Sequence, residues 1–154
     1  MKKVIFERDV RRAVKDWLFR NGWNWNYTEK ETREKGVDIR VQDGRDKKHA
    51  RYFYIEVKGE SAAKSARSVS ETSFVYVLGQ IVTRMKVVAK HAYLYGIALP
   101  ESSARIAVRR IPWKVAKYLT LYVFSVNSAG KTKRYSWKDL KQIQVNDKYT
   151  RKTV

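Results

Sequence analysis

Two short runs on either side of a polar turn constrain this chain more than any other feature. They are Gly36-Val37-Asp38-Ile39-Arg40-Val41 and Tyr52-Phe53-Tyr54-Ile55-Glu56-Val57-Lys58, flanking Asp43-Gly44-Arg45-Asp46. Both runs are rich in β-branched and aromatic residues and Asp-Gly is a turn signal, so the spacing predicts neighbouring antiparallel strands of one sheet. Side chains alternate faces along a strand. Glu56 and Lys58 therefore project to one side, and Ile55 and Val57 to the other. On the first strand Val37, Ile39 and Val41 mark the apolar side and leave Asp38 on the polar side with Arg40 and Gln42. Where the two polar sides coincide, Asp38, Glu56 and Lys58 converge.

Two carboxylates and a lysine in one place suit metal-assisted hydrolysis of a phosphodiester. Hard oxygen ligands hold Mg²⁺ while leaving coordination positions for water and a phosphate oxygen. A divalent ion lowers the pKa of its water and offsets charge developing on phosphorus. A lysine ammonium beside that water or the phosphate adds a compact positive charge.

The rest of the chain reads as alternating helices and strands. Residues 5–21 form an amphipathic helix, with Phe6, Val10, Val14, Trp17 and Leu18 at helical spacing and Gly22 as its stop. Trp23 to Tyr27 alternates aromatic and polar residues, as a short strand does. The segment 59–70 is small and basic, and reads as a flap over a phosphate, with Ser61, Lys64 and Arg67 as backbone contacts. A second helix is expected from about Glu71 to Lys90, burying Phe74, Val77, Leu78, Ile81, Met85 and Val88; Gln80 and Arg84 are i,i+4 neighbours on another flank. His91 to Leu99 is an apolar strand ended by Pro100, and a helix before it predicts a parallel neighbour. Helical pieces follow over 101–119, then a strand at Leu121–Val126 and a turn at Ser128-Ala129-Gly130. The basic tail from about 131 to 154 is expected to dock Trp137 and fray over its last six residues. This order implies one α/β domain, a sandwich with a mixed central sheet flanked by helices.

Charge points to the partner. The formal net charge is +19, and from residue 72 onward sixteen cations face three acids, Glu101, Asp139 and Asp147. Such a field favours a polyanion and salt-sensitive association. Arg45, Lys47 and Lys48 in the hairpin turn are candidates to lie along a phosphate backbone, as is Arg84; a solvated turn is the ordinary alternative. Cysteine is absent and histidine occurs twice, which excludes disulfides and thiolate metal sites. No apolar run of ~20 residues spans a bilayer, and the apolar stretch after Met1-Lys2-Lys3 is too short for a secretory signal. A cytoplasmic protein that does not enter membranes is expected.

The ordered set Glu7, Gly36-Val37-Asp38, Glu56-Val57-Lys58 and Gln80 resembles the PD-(D/E)XK nuclease superfamily over roughly the first hundred residues. Asp38 matches the motif aspartate and Glu56-Val57-Lys58 the (D/E)XK half, while Val37 stands where the name expects proline. The resemblance implies a restriction-endonuclease-like fold. It also implies an Mg²⁺-dependent endodeoxyribonuclease, with Mn²⁺ able to substitute. Asp38, Glu56 and the Val57 carbonyl would hold the metal, Lys58 would assist the water, and Glu7 and Gln80 would support. A branched-DNA resolvase, a restriction or homing-type enzyme and a mobile-element nuclease all fit. A chain this small that cuts both strands of DNA would most simply be a homodimer. The alternative is a non-catalytic, basic nucleic-acid-binding module.

Overall fold

The computed structural model describes residues 3–31, 35–60, 66–86 and 92–152. The elements are α1 (Glu7–Arg20), β1 (Trp25–Glu29), β2 (Ile39–Gln42), β3 (Arg51–Val57), α2 (Ala66–Thr83), β4 (Ala92–Pro100), α3 (Glu101–Arg110), α4 (Trp113–Leu119), β5 (Leu121–Val126), β6 (Thr132–Tyr135) and α5 (Trp137–Lys152). The two runs around the Asp-Gly turn pair antiparallel as β2 and β3, with Ile39 opposite Ile55 and Arg40 opposite Tyr54. β1 joins the outer edge of β2 through an irregularity between Trp25 and Thr28. There Asn26 takes a left-handed backbone (φ 48°) and its amide donates to Gln42 Oε1 at 2.6 Å.

From β3 the sheet turns parallel. β4 runs parallel to β3, and β5 parallel to β4. Parallel neighbours need a crossover longer than a hairpin, and α2 supplies the first, α3 with α4 the second. β6 then returns antiparallel on β5, so strand order in space is strand order in sequence. The molecule is an α/β fold whose six-stranded mixed sheet is flanked by five helices among the described residues. None of those helices is long and apolar enough to cross a membrane.

Period-two alternation divides the core. On one face Ile39, Val41, Phe53, Ile55, Val57 and Phe124 pack against Val10, Val14 and Leu18 of α1. On the other, Tyr54, Tyr95, Ile97, Leu99, Leu121 and Val123 pack against Phe74, Val77 and Ile81 of α2 and against α3, α4 and Leu140 of α5. Glu56 belongs by parity to the second face, under α2. Gly59, just past β3, lies so close to the start of α1 that a Cβ there would collide with the Glu7 backbone. That contact keeps the first turn of α1 beside the end of β3.

Two expectations are corrected. The second helix begins at Ala66 and ends at Thr83, rather than running from Glu71 to Lys90. Small residues before Glu71 continue the helix. At the other end, amides of Arg84 and Met85 bond to carbonyls three residues back, tightening the last turn, while the Thr83 hydroxyl bonds the Gln80 carbonyl. The basic tail is also more ordered than expected: Thr132–Tyr135 is a strand and 137–152 a helix. Trp137, Leu140 and Ile143 lie on one helical flank that docks on the core, and their apolar spacing is diluted by the cations between them.

One side chain of α5 fastens the α3–α4 corner. Gln144 Nε2 donates to the carbonyls of Val108 (3.0 Å) and Ile111 (2.6 Å), and its Oε1 accepts the Trp113 amide at 3.1 Å. These backbone groups flank Pro112, where no helix can satisfy them. Gln144→Ala is expected to lower unfolding free energy by about 1–3 kcal/mol through loss of these bonds. Urea unfolding tests this, and a loss below about 0.5 kcal/mol would mean that water replaces the amide fully.

Candidate active site

Asp38 sits one residue ahead of β2, after Gly36, whose φ of +123° suits only glycine. The β2–β3 register, continued by one pair, sets Asp38 opposite Glu56. The Asp38 carboxylate bends back to the sheet, and its Oδ2 accepts the Val57 amide at 2.8 Å. Both acids are buried, and Glu56 is inaccessible to solvent. Lys58 follows two residues on, half-buried, with its ammonium 5.2 Å from the Tyr76 ring of α2 and its amide bonded to the Ala98 carbonyl. The three residues therefore occupy the sheet face beneath α2.

Three cations surround the two acids. Lys30 Nζ lies 3.5 Å and Arg11 Nη2 3.9 Å from Asp38 Oδ1, and Arg84 Nε lies 2.7 Å from Glu56 Oε1. The Arg84 contact is an ion pair rather than a hydrogen bond, since its N–H is not aimed at the oxygen. Both Glu56 oxygens are buried without a hydrogen-bond donor. Burial, and then the adjoining Asp38 carboxylate, push the Glu56 carboxyl up to about 8, against the opposing pull of Arg84 and Lys30.

Glu7, the first residue of α1, is half-exposed and reaches the site indirectly. It holds Arg11 at 3.1 Å, one turn along the helix, and Arg11 faces Asp38. Glu7 and Lys58 also line one cavity of about 570 Å³ with Phe6, Arg8, Gly59 and Glu60. Glu60 itself is occupied, accepting the Ile5 amide at 3.0 Å and the Ser102 hydroxyl at 3.3 Å. Gln80 is half-buried on α2, and among the described residues its side chain has no hydrogen-bond partner; Arg84, one turn later, is what touches Glu56. Sequence reading placed Arg84 only among backbone-binding cations and did not single out Arg11 or Lys30. The i,i+4 spacing of Glu7 with Arg11 was the available signal for Arg11, and Lys30 had none.

The hairpin cations lie elsewhere. β2 and β3 put the turn at the opposite end of the strands from Asp38 and Glu56, about 16 Å away at ~3.3 Å per residue. Arg45 forks onto the buried Asp43 at 2.8 and 3.0 Å and holds that carboxyl well below the usual range. It thereby closes the turn. Lys47 rests over Trp25 at 5.1 Å, and Lys48 is exposed. Ser61 and Lys64 lie outside the described residues, and Arg67 falls in the first turn of α2.

The donor set fits a hard divalent cation: two adjacent carboxylates, one with both oxygens lacking donors. No cluster of three or more His, Cys, Asp or Glu accompanies them among the described residues. Water, a phosphate oxygen or a backbone carbonyl such as that of Val57 would complete the coordination.

The raised Glu56 carboxyl has a signed consequence without metal. Its ordinary value is 4.5, so between about 4.5 and 8 the folded chain holds a proton that the unfolded chain has released. Stability contributed by this group falls as pH rises through that window, by up to about 1.4 kcal/mol per pH unit. In chelator, Glu56→Gln is expected to gain on the wild type as pH rises from 5 to 8; parallel urea-midpoint profiles for the two proteins would refute the raised Glu56 carboxyl. No family model, curated protein or solved structure matches this chain.

Proposed function

We propose that the protein is a metal-dependent endodeoxyribonuclease of the PD-(D/E)XK type, with Asp38, Glu56 and Lys58 as its catalytic residues. The observation that carries this reading is the burial of both Glu56 oxygens without a donor beside the Asp38 carboxylate. A chain gains no stability from such a pair, whereas a hard cation would use it. The element order also agrees: a first helix, an antiparallel β1–β2–β3 meander, a crossover helix and a parallel β4 make the arrangement expected of the restriction-endonuclease-like fold.

Asp38 is fixed by the Val57 amide and Glu56 by its place in the sheet, so the two acids would hold Mg²⁺, or Mn²⁺ in its place, with little rearrangement. When bound, the metal supplies an activated water and neutralises charge on the phosphate. Lys58 needs only to leave the Tyr76 ring to place its ammonium beside the attacked phosphate. Arg84 and Lys30 exchange their carboxylate partners for phosphate oxygens, and Arg11, held by Glu7, stays beside Asp38. Gln80 borders the same helix end. Net charge of +19 supplies long-range attraction for DNA, and cutting both strands calls for a symmetric homodimer.

One observation favours a second reading. Arg11, Lys30 and Arg84 already balance the two acids, so the same cluster serves as a closed ion network in a nucleic-acid-binding module that does not cut.

Cleavage of supercoiled plasmid and of a synthetic four-way junction, with Mg²⁺, Mn²⁺ or EDTA, separates the two. Metal-dependent cutting is expected, falling at least ~10²-fold in Asp38→Ala and Lys58→Ala. Salt-sensitive binding with no cutting of either substrate, or of a randomised target library, would overturn the nuclease in favour of the binding module.

A further inference from the structure

A cavity of about 440 Å³ adjoins the carboxylate pair on its β1 side, walled by Lys30, Lys35, Arg40, Tyr54, Arg84 and Lys86. Five cations meet there, and among the described residues one acid lines it, Glu29, which accepts the Tyr27 hydroxyl at 2.6 Å. The cations are not equivalent. Lys30 and Arg84 turn toward Asp38 and Glu56, and the Arg40 guanidinium lies 5.4 and 5.7 Å from the rings of Tyr52 and Tyr54. Lys35 and Lys86 are exposed and have no anionic partner among the described residues. Lys86 is nonetheless positioned, because its amide donates to the Tyr95 hydroxyl at 2.8 Å. Two lysines without an anionic partner among the described residues therefore line a recess that shares Lys30 and Arg84 with the proposed metal site.

We infer that this cavity seats a second phosphodiester of the bound nucleic-acid strand, the one adjoining the phosphate at Asp38 and Glu56, and that Lys35 and Lys86 are its direct contacts. The inference rests on the nucleic-acid reading above. Size restricts the occupant: 440 Å³ is near the small end of ligand sites, which run from ~300 to 1,000 Å³, and admits one phosphate with its sugar rather than a duplex groove. Charge restricts it further, since Lys35 and Lys86, without anionic partners among the described residues, favour an anionic occupant. Location supplies the order along the strand. An occupant touching Lys30 and Arg84 is next to the carboxylates, so the cavity orients the backbone on one side of the bond to be broken. The hairpin cations, at the other end of the strands, cannot do so.

Binding of fluorescein-labelled single-stranded and duplex oligonucleotides in EDTA, across a KCl series, tests the inference without any cleavage. Lys35→Gln and Lys86→Gln are each expected to weaken binding and to reduce the slope of log K against log salt by about 0.7 on the single strand or 0.9 on the duplex, one phosphate contact's worth. Lys131→Gln, in the β5–β6 turn at the far edge of the sheet, removes the same charge and is expected to leave the slope nearly unchanged. Slopes for Lys35→Gln and Lys86→Gln that match the wild type or Lys131→Gln would overturn the inference, even if the enzyme cuts DNA. Reduced slopes in a protein that never cuts would uphold it and sink only the nuclease. Absence of binding by the wild type at physiological salt would overturn both.

Discussion

The hydrogen bond from the Val57 amide to Asp38 Oδ2 determines how the site is built. The β2–β3 ladder ends at Ile39 opposite Ile55, leaving the next amide of β3 in need of an acceptor in a buried place. Asp38 provides a side-chain oxygen instead of a backbone one. The carboxylate is thereby drawn under the sheet's edge and held opposite Glu56, and a structural requirement of the strand end becomes the placement of a second acid. Gly36 makes the approach possible, and Gly59 holds α1 against the same strand end.

Once two acids are forced together, the charges around them follow. One carboxylate cannot ionise freely beside another in a dry site, and Glu56 is accordingly hard to ionise. Arg11, Lys30 and Arg84 approach from three different elements or loops, so no single segment controls the balance. Positive charge is concentrated on the side of the pair that opens to the 440 Å³ cavity, while the Lys58 side is walled by Glu7 and Glu60 as well as by cations. The polarity of the site is asymmetric about the carboxylates.

Much of this was legible in the sequence. Alternation around the Asp-Gly turn gave the faces, and the β2–β3 register sets Asp38 opposite Glu56 as the alternation required; the Lys58 ammonium rests by Tyr76. The apolar run ending at Pro100 behaved as an interior parallel strand, and the helical stripe Phe74, Val77, Ile81 packed as its spacing implied. The missed features were of another kind. β6 is only four residues long and strongly cationic, and it exists because β5 offers an edge, which no local pattern reveals. Lys30 meets Asp38 because the end of β1 bonds the start of β2, the Lys30 amide donating to the Asp38 carbonyl, and Arg84 meets Glu56 because α2 stops short at Thr83. Arg45 looked like a phosphate contact because its charge was visible and its buried partner, Asp43, was not. Contacts set by chain geometry at element ends are the ones that periodicity cannot carry.

Gln144 ties the last helix to backbone groups more than thirty residues earlier. The α3–α4 corner therefore has its carbonyls and the Trp113 amide satisfied only when α5 is docked. Sheet pairing from β1 to β4 needs no such distant partner, since each strand pairs with the next in sequence. The β1–β4 pairing is local in sequence, whereas the α3–α4 corner depends on a side chain contributed from α5, so that corner is a long-range closure of the fold.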